Sequence, residues 1–400
     1  MDLNINFAGV PFENPFTVAA SPSSDSREKV RRALEAGWGG IVFKTTALPQ
    51  HSPKLAEPNM AGLSYAGKPQ FAFYNIDLIS ERTVEEIQED IAYFKQLYPD
   101  RRFIGSIMAA GEDEWIELVH RLEEAGADMI ECSMSCPQGE HSIADEGKKA
   151  SNAIPAADRE LMRTTTQTIL RARKKNTPVI VKMTPNVTDL VDVARGAVEG
   201  GADALCCIDT VRGFIGIDLE TGYPKLNVNG LSTWGGLSGP AVKPIALGCV
   251  SKLTKELDIP VAGVGGVSNW QDAAEFLLLG ARNVQVCTAI SRYGFGMVQS
   301  MQKGLLRYME QKGFTSLDAM VGKSLPYLVD HSELSRENHL HCSIDETACL
   351  KCGSCATACQ DAGFGALHHE KGSVPTLDKA VCRGCGVCQS VCPRDCITLR

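Results

Sequence analysis

The cysteines near the end of the chain are the residues whose spacing most directly indicates a chemistry. The chain has 400 residues and 16 cysteines, and ten of these cysteines lie between Cys342 and Cys396. Eight of the ten form two runs with the same spacing, C-x2-C-x2-C-x3-C. A run of this kind lets one loop supply three ligands to a cubane iron–sulfur cluster, while its fourth cysteine binds the other cluster. The spacing therefore predicts two [4Fe-4S] clusters.

The two predicted clusters exchange one ligand each, as in bacterial two-cluster ferredoxins, which this segment resembles throughout. The ligands would be Cys349, Cys352, Cys355 and Cys392 for the first cluster, and Cys382, Cys385, Cys388 and Cys359 for the second. Zinc sites and disulfides are the alternatives. Zinc sites usually use two pairs of cysteines, and the N-terminus shows no secretory signal that would lead to an oxidising compartment. Cys342 and Cys396 fit neither run and are expected to be small apolar core residues.

Charged and reactive residues also stand at the ends of apolar runs. Lys44 ends the run GGIVFK and Lys182 ends PVIVK. A charge in an apolar strand is costly without a partner, so each lysine belongs either to a structural ion pair or beside the ring of a flavin. Cys136 directly follows the run DMIECSMS (128–135). Its thiol is either a buried spectator or a general acid.

Glycine-rich loops after the late apolar runs predict a phosphate site. GVGGVSN (263–269) and VCTAIS (286–291) follow two such runs, and GGLSG (235–239) precedes a helical segment. Gly265 and Gly266 would allow a phosphate to approach the backbone N–H groups closely. The position of these loops makes the signal stronger than a single pair of glycines would.

Eight apolar runs alternate with amphipathic segments and would position these residues. Continuous apolar runs are typical of parallel strands that are buried on both faces. The alternation predicts an α/β fold, a (β/α)8 TIM barrel, although an open doubly wound sheet would produce the same pattern. The segment 5–15 indicates a hairpin before the first strand. The runs are FTVAAS (16–21), GGIVFKTT (39–46), FIGSIMA (103–109), DMIECSMS (128–135), PVIVKM (178–183), ALCCIDTV (204–211), PVAGVGGV (260–267) and NVQVCTAI (283–290).

The predicted domains are a barrel over residues 1–315, a linker over 316–340 and a small ferredoxin-like α+β domain over 341–400. The composition, with 44% hydrophobic and 22% charged residues, is that of a globular protein. The net charge of −8 argues against nucleic acid as a partner. No apolar run is long enough to span a membrane, and without a secretory signal a cytoplasmic location is expected.

Several motifs occur in an order that resembles a known family: VFKTT, SCPQG, VKMTPN, DTVRG, GLSGPAVKPIAL, GVGGV and QVCTAI. The chain is similar in these motifs to the flavin barrels of the dihydroorotate dehydrogenase type. With NIDLISER and the cysteine tail, it resembles in particular the catalytic half of the NAD-dependent dihydropyrimidine dehydrogenases, which in bacteria is a separate subunit. The resemblance covers nearly the whole chain.

This resemblance implies FMN as a cofactor and reduction of the C=C bond of uracil or thymine to the 5,6-dihydro form, reversibly. Flavin N5 would pass a hydride to one carbon, and Cys136 would give a proton to the other. The implied substrate contacts are Asn75, Ser133, Ser135, Asp209 and Thr210. The implied FMN contacts are Ala20, Ser21, Lys44, Thr45, Lys182, Gly236, Ser238, Gly239, Gly265, Gly266, Cys287 and Thr288.

The chain departs from the family where the substrate would bind. Ser133 and Asp209 stand where the family has asparagines. An amide matches the alternating N–H and C=O edge of a pyrimidine, whereas a carboxylate only accepts hydrogen bonds. The alternative is therefore the same machinery acting on another cyclic amide or enone-like compound. A third possibility is an electron-transfer component whose barrel is catalytically inactive.

No dinucleotide-binding G-x-G-x-x-G motif is found between a strand and a helix. Electrons would therefore come from a second polypeptide. The resemblance implies that this partner is a FAD- and NAD(P)-binding oxidoreductase subunit, with the two clusters conducting electrons to FMN.

Overall fold

The computed structural model describes residues 2–65, 68–134, 155–337, 340–362 and 364–400. These residues form two compact units, the first ending at Tyr327 and the second running from Leu328 to Arg400. No helix in the described ranges combines the length and the apolarity that crossing a bilayer requires.

The first unit contains strands and helices that alternate along the chain. Its strands are β1 (Ile5–Phe7), β2 (Val10–Phe12), β3 (Phe16–Val18), β4 (Gly40–Val42), β5 (Met60–Tyr65), β6 (Lys68–Asn75), β7 (Arg102–Ile107), β8 (Met129–Ser133), β9 (Val179–Met183), β10 (Ala204–Cys207), β11 (Val211–Gly213), β12 (Gly235–Ser238), β13 (Val261–Val264) and β14 (Ala281–Val286). Its helices are α1 (Arg27–Ala36), α2 (Val84–Leu97), α3 (Glu112–Ala125), α4 (Arg159–Ala172), α5 (Leu190–Glu199), α6 (Lys243–Glu256), α7 (Trp270–Leu278), α8 (Thr288–Tyr293) and α9 (Met297–Lys312).

Eight parallel strands close into a barrel in the order β3-β4-β7-β8-β9-β10-β13-β14. The last strand pairs with the first, with Val284 opposite Phe16 and Val286 opposite Val18, which excludes the open sheet. Each of the eight predicted runs overlaps one of these strands. In β3, β4, β8, β9, β10 and β13 every residue is buried, because helices cover the outside and side chains fill the inside. The predicted barrel is therefore confirmed.

Local signals set the ends of the surrounding helices. Ser26 caps α1 by accepting a hydrogen bond from Lys29 N, and Thr83 begins α2 with a reciprocal capping box to Glu86. Gly37 ends α1 with a φ of 107°, a left-handed conformation that glycine adopts at little cost. These short-range contacts fix where the helices begin and end, and so where the chain can turn toward the next strand.

The strands β1 and β2 form the predicted hairpin, with Ile5 opposite Phe12. Phe7 and Phe12 are fully buried in the core of the barrel unit. A second sheet was not predicted: β11, β12, β6 and β5 pair in that order, all antiparallel. This sheet carries Asn75 at the end of β6 and Ser238 at the end of β12, and so it supplies side chains that the barrel strands do not.

The first unit extends further than the predicted domain boundary at 315. Leu317 and Met320 were expected to lie in the linker, but both are fully buried in the core of the barrel unit. The backbone N–H groups of Gly322 and Ser324 donate to the carbonyl oxygens of Leu277 and Leu278 at the end of α7. These contacts explain why the chain divides at Tyr327 rather than at 315.

The second unit is small and has a core made partly of cysteines. Its elements are β15 (Cys342–Ile344), α10 (Ser354–Asp361), β16 (Leu367–His368), β17 (Thr376–Leu377), α11 (Val387–Ser390) and β18 (Ile397–Leu399). The pairs β15–β18 and β16–β17 are antiparallel. Five of the nine residues in its buried cluster are cysteines. An apolar core this small requires another source of stability, such as a bound metal cluster.

Candidate active site

The carboxyl-terminal ends of the barrel strands surround an open cavity of about 950 Å³. An adjoining cavity of about 600 Å³ shares seven lining residues with it. This is the end of a TIM barrel at which catalytic residues are found, because the loops that follow the strands converge there.

Most of the predicted site residues line these two cavities, although they come from distant parts of the chain. In the larger cavity lie Ala20, Ser21, Lys44, Thr45, Asn75, Ser133, Lys182, Asp209, Thr210, Ser238, Cys287 and Thr288. Gly239, Gly265 and Gly266 line the adjoining cavity. Ser135 and Cys136 lie outside the described residues.

Among the predicted flavin and substrate residues that the structure describes, Gly236 alone lines neither cavity. Its carbonyl oxygen accepts a hydrogen bond from Asn75 Nδ2 at 3.2 Å, and a side chain at this position would collide with Thr210. Gly236 therefore acts here by orienting Asn75 and by leaving room for Thr210.

Lys44 lies at the cavity between two carboxylates. Its Nζ is 3.1 Å from Asp77 Oδ2 and 3.8 Å from Asp25 Oδ2. Burial raises the pKa of the Asp77 carboxyl, although the charge of Lys44 opposes that shift. Asp77 itself lines the cavity, and the sequence analysis did not single it out. The structural ion pair and the cavity position, which were alternatives for Lys44, thus coexist.

Lys182 is held by a carboxylate inside the barrel. Its Nζ lies 3.3 Å from Glu131 Oε1, and Gln285 Nε2 donates to Glu131 Oε2 at 2.8 Å. Burial lowers the pKa of the Lys182 ammonium, but the groups around it, Glu131 first among them, together outweigh burial and raise that pKa. Lys182 therefore presents a positive charge to both cavities.

The glycine-rich loop after β13 forms part of the wall of the adjoining cavity, through Gly265 and Gly266. Gly266 has a φ of 76°, and a Cβ there would lie 2.7 Å from Lys243 Cβ and 2.9 Å from the carbonyl oxygen of Gly239. The short 3-10 turn before α6 has no side-chain cap at Gly239. The glycines in this wall let an anion approach the backbone of the loop closely.

Small polar groups line the part of the cavity expected to bind the substrate. Ser133 is buried at the end of β8. Asp209 Oδ1 accepts a hydrogen bond from the N–H of Thr210 at 2.8 Å. Asn186 Nδ2 donates to the carbonyl oxygen of Thr210 at 2.9 Å and so supports this turn from below. The two departures from the family, Ser133 and Asp209, thus lie in one cavity.

These residues fit the chemistry of FMN. A flavin ring offers N–H and C=O groups, and the buried Gln285 Oε1 has no hydrogen-bond partner among the described residues. The two lysines suit the electron-rich ring, and the loop at Gly265 and Gly266 suits a phosphate.

The cysteines of the second unit gather around two further cavities. One, of about 330 Å³, is lined by Cys349, Cys352, Cys355 and Cys392. The other, of about 340 Å³, is lined by Cys359, Cys382, Cys385 and Cys388. These are the two sets that the spacing predicts, with one cysteine exchanged between the runs.

Each cysteine of a cubane binds a different iron, so the four sulfurs surround the cluster instead of meeting at one atom. Consistent with this arrangement, no three His, Cys, Asp or Glu side chains in the described ranges are grouped so that they could share a single ion. Cys342 and Cys396 are buried, as expected, but each also lines one of the cluster cavities. Cys396 Sγ lies 3.3 Å from Cys392 Sγ.

Comparison with known proteins assigns both parts of the chain. Residues 2–309 match the family model described as dihydroorotate dehydrogenase. Residues 342–399 match the model described as a 4Fe-4S dicluster domain.

Named relatives include enzymes of two kinds. The NAD-dependent dihydropyrimidine dehydrogenase subunit PreA of Escherichia coli (strain K12) is 39% identical over 100% of this chain and 95% of its own length. The chloroplastic dihydropyrimidine dehydrogenase (NADP(+)) of Arabidopsis thaliana is 33% identical over 83% of this chain and 79% of its own length. The catalytic subunit of dihydroorotate dehydrogenase B (NAD(+)) of Pyrococcus abyssi is 33% identical over 81% of this chain and 99% of its own length.

Proposed function

This chain belongs to the dihydroorotate dehydrogenase family, with a 4Fe-4S domain at its C-terminus, and we propose that it is the pyrimidine-reducing subunit of a two-component oxidoreductase. In this proposal it reduces the C=C bond of uracil or thymine reversibly, and an NAD(P)H-oxidising partner delivers the electrons through two [4Fe-4S] clusters. Family membership makes the chain an oxidoreductase that acts on a carbon–carbon bond; the pyrimidine, the partner and the count of clusters are the proposal.

The proposal rests chiefly on the position of the predicted flavin residues, which meet at one cavity. Ser21, Lys44, Lys182 and Thr288 follow or belong to four different barrel strands, and all line the same cavity. Side chains this far apart in sequence meet at one cavity because the barrel brings the carboxyl ends of its strands together.

Bound FMN would supply hydride chemistry to the C=C bond of the substrate. Lys44 and Lys182 would hold the ring by their positive charges, and the loop at Gly265 and Gly266 would bind the phosphate through its N–H groups. Asn75, Ser133, Asp209 and Thr210 would orient the substrate ring. The thiol of Cys136 would donate the proton, and an ordinary thiol pKa of about 8.5 keeps it protonated at neutral pH.

Electrons would enter the chain through the clusters. Cubane clusters carry electrons and the described residues contain no dinucleotide-binding fingerprint, so the proposal includes a partner that binds FAD and NAD(P). The names of two relatives support a partner, since one is a subunit and another is a catalytic subunit.

A second substrate class is favoured by a specific observation. Asp209 and Ser133 line the cavity where the family has asparagines. A buried site that loses a complementary hydrogen bond discriminates by about 10⁴-fold or more against the ligand that needs it. Another cyclic amide or an enone-like compound is therefore the alternative to uracil and thymine.

The test uses the full chain, purified anaerobically and reduced with dithionite. Addition of uracil or thymine should restore the yellow absorbance of oxidised flavin, with dihydrouracil or dihydrothymine formed in matching amount. NADH should not reduce the flavin of the chain alone. Reoxidation by another cyclic amide, but not by a pyrimidine, would select the second substrate class. Turnover with NADH and no partner, or a flavin that no compound of either class reoxidises, would contradict the proposal.

A further inference from the structure

We propose that Glu131 is a positioning residue of the flavin site, which fixes Lys182 as a permanent cation and turns the carbonyl oxygen of Gln285 toward the cofactor cavity. This inference rests on the proposed binding of FMN at the barrel mouth. It concerns two residues, Glu131 and Gln285, to which neither the sequence analysis nor the proposed function gives a role.

Glu131 occupies a position that is costly for a charge. It lies in the middle of β8 and is completely buried. Lys182 lies on the neighbouring strand β9, with Ser133 as its register partner. A carboxylate in the interior of a barrel is costly to desolvate, and a single buried charge is tolerated only with a well-placed partner. The short contact to Lys182 Nζ provides that partner.

Both carboxylate oxygens of Glu131 have a partner. Oε1 faces the Lys182 ammonium at 3.3 Å, and Oε2 accepts the amide N–H of Gln285 at 2.8 Å. One carboxylate therefore fixes two side chains from β9 and β14 at once. Neither side chain can rotate freely without leaving a buried oxygen of Glu131 unpaired.

This contact also restricts the orientation of Gln285. With its Nε2 bonded to Glu131, its Oε1 is the amide atom left for another partner. That oxygen is buried and has no hydrogen-bond partner in the described part of the chain, and Gln285 lines the cavity of about 600 Å³. Buried acceptors are almost always satisfied in a folded protein. A ligand N–H donor, such as the imide N–H of a flavin ring, would satisfy this one.

Glu131 also supports the charge of Lys182. The charged and titratable groups that act on it are Glu131 on β8, Cys206 and Asp209 on and after β10, and Cys287 after β14. Burial lowers the pKa of Lys182, and Glu131 is the strongest of the groups that raise it. Without the charge of Glu131, the pKa of Lys182 should fall, because the ammonium stays buried and keeps only the weaker support of Cys206 and Asp209.

The consequence can be measured on the bound cofactor. A nearby cation stabilises the electron-rich reduced flavin and so raises its reduction potential. If Lys182 stays charged at all working pH values, it adds no pH dependence to that potential. If its pKa falls into the working range, the potential should drop more steeply as the pH rises through that pKa.

The experiment uses the FMN-loaded full chain, unaltered and with the substitution Glu131→Gln or Glu131→Asp. In each protein the reduction potential of FMN is measured as a function of pH by dye equilibration. Glu131→Asp keeps the charge and should follow the profile of the unaltered protein. In Glu131→Gln, the plot of FMN reduction potential against pH should show an additional downward bend. The matched control is Glu123→Gln, because Glu123 is also a buried carboxylate but accepts backbone N–H groups of Lys174 and Lys175 and lines neither cavity.

A second variant keeps the inference testable if Glu131→Gln does not fold. Gln285→Met keeps Glu131 Oε1 opposite the Lys182 ammonium, but it removes the whole amide, both the free acceptor and the donor to Glu131 Oε2. It should weaken FMN binding about tenfold without the bend in the potential. Any of three results would overturn the inference. The potential of Glu131→Gln could run parallel to that of the unaltered protein over the whole pH range, or Glu123→Gln could show an equal bend. The third result is an unchanged FMN affinity in Gln285→Met. An unaltered protein that binds no FMN would instead overturn the proposed function.

Discussion

Two buried lysines flank the candidate site, and each is held by a different arrangement of carboxylates. Lys44 is shared between Asp77 and Asp25, whereas Lys182 has one fully buried partner, Glu131. A buried ion pair is weak evidence for stability, since its desolvation cost can exceed the attraction. Two such pairs at the mouth of one barrel are better explained by function, because they keep two cations at fixed points of a cavity.

At the scale of single residues, Cys136→Ser is expected to impair proton donation without removing FMN. A serine hydroxyl is a far weaker acid than a thiol, and loss of a general acid typically costs 10²- to 10⁴-fold in rate, so we expect turnover to fall by about 10²-fold or more. Turnover and FMN content measured on the same preparation test this expectation.

Cys249→Ser is the matched control, because Cys249 is only half-buried on α6 and lines neither site cavity. The control should keep both turnover and FMN. Unchanged turnover in Cys136→Ser would remove Cys136 from the proposed role.

The residues of the site could be predicted from the sequence only in part. Lys44 and Lys182 stood out because they end apolar runs. The same argument applies to Glu131, which interrupts the run DMIECSMS, and it could have identified that residue. Asp77 gave no such signal, because it lies outside the barrel strands and reaches Lys44 only through the tertiary fold.

At the scale of elements, the loop between β13 and α7 allows a sharp prediction. Gly266→Ala should lower FMN content and stability, because the residue has a positive φ and its Cβ would press on Lys243 and on the backbone of Gly239. The left-handed conformation alone costs an alanine about 1–2 kcal/mol. FMN content and thermal unfolding of the purified variant measure both effects.

Gly248→Ala is the control for this loop. Gly248 is an exposed glycine inside α6, and a Cβ there meets no atom within 4 Å. Its replacement should keep FMN and raise the stability by up to about 1 kcal/mol. If Gly266→Ala retained FMN as well as Gly248→Ala does, the loop would not be the phosphate site.

The elements themselves were predictable to different degrees. The barrel strands are continuous apolar runs, and each was recognised from its own residues. The sheet of β5, β6, β11 and β12 was missed, because its strands include glycine-containing segments, such as Gly235–Ser238, whose partner β6 lies far away in sequence. Such pairing depends on the finished barrel and leaves little local pattern.

At the scale of the whole molecule, the division into two units follows from two kinds of core. The first unit has a large apolar core, which includes Leu317 and Met320 from the segment expected to be a linker. The second unit has a small core in which cysteines replace much of the apolar volume. The two groups of cysteines that the spacing predicts line separate cavities, and they could be proposed from the sequence because cluster spacing is a local property of the chain.

The analysis of FMN, iron and sulfide in the anaerobically purified full chain tests the central claim most directly. A flavin at the barrel mouth and two cubane clusters in the second unit predict a brown-yellow protein with about one FMN and about eight irons and eight inorganic sulfides per chain. A folded but colourless protein, without flavin and without iron, would contradict the account.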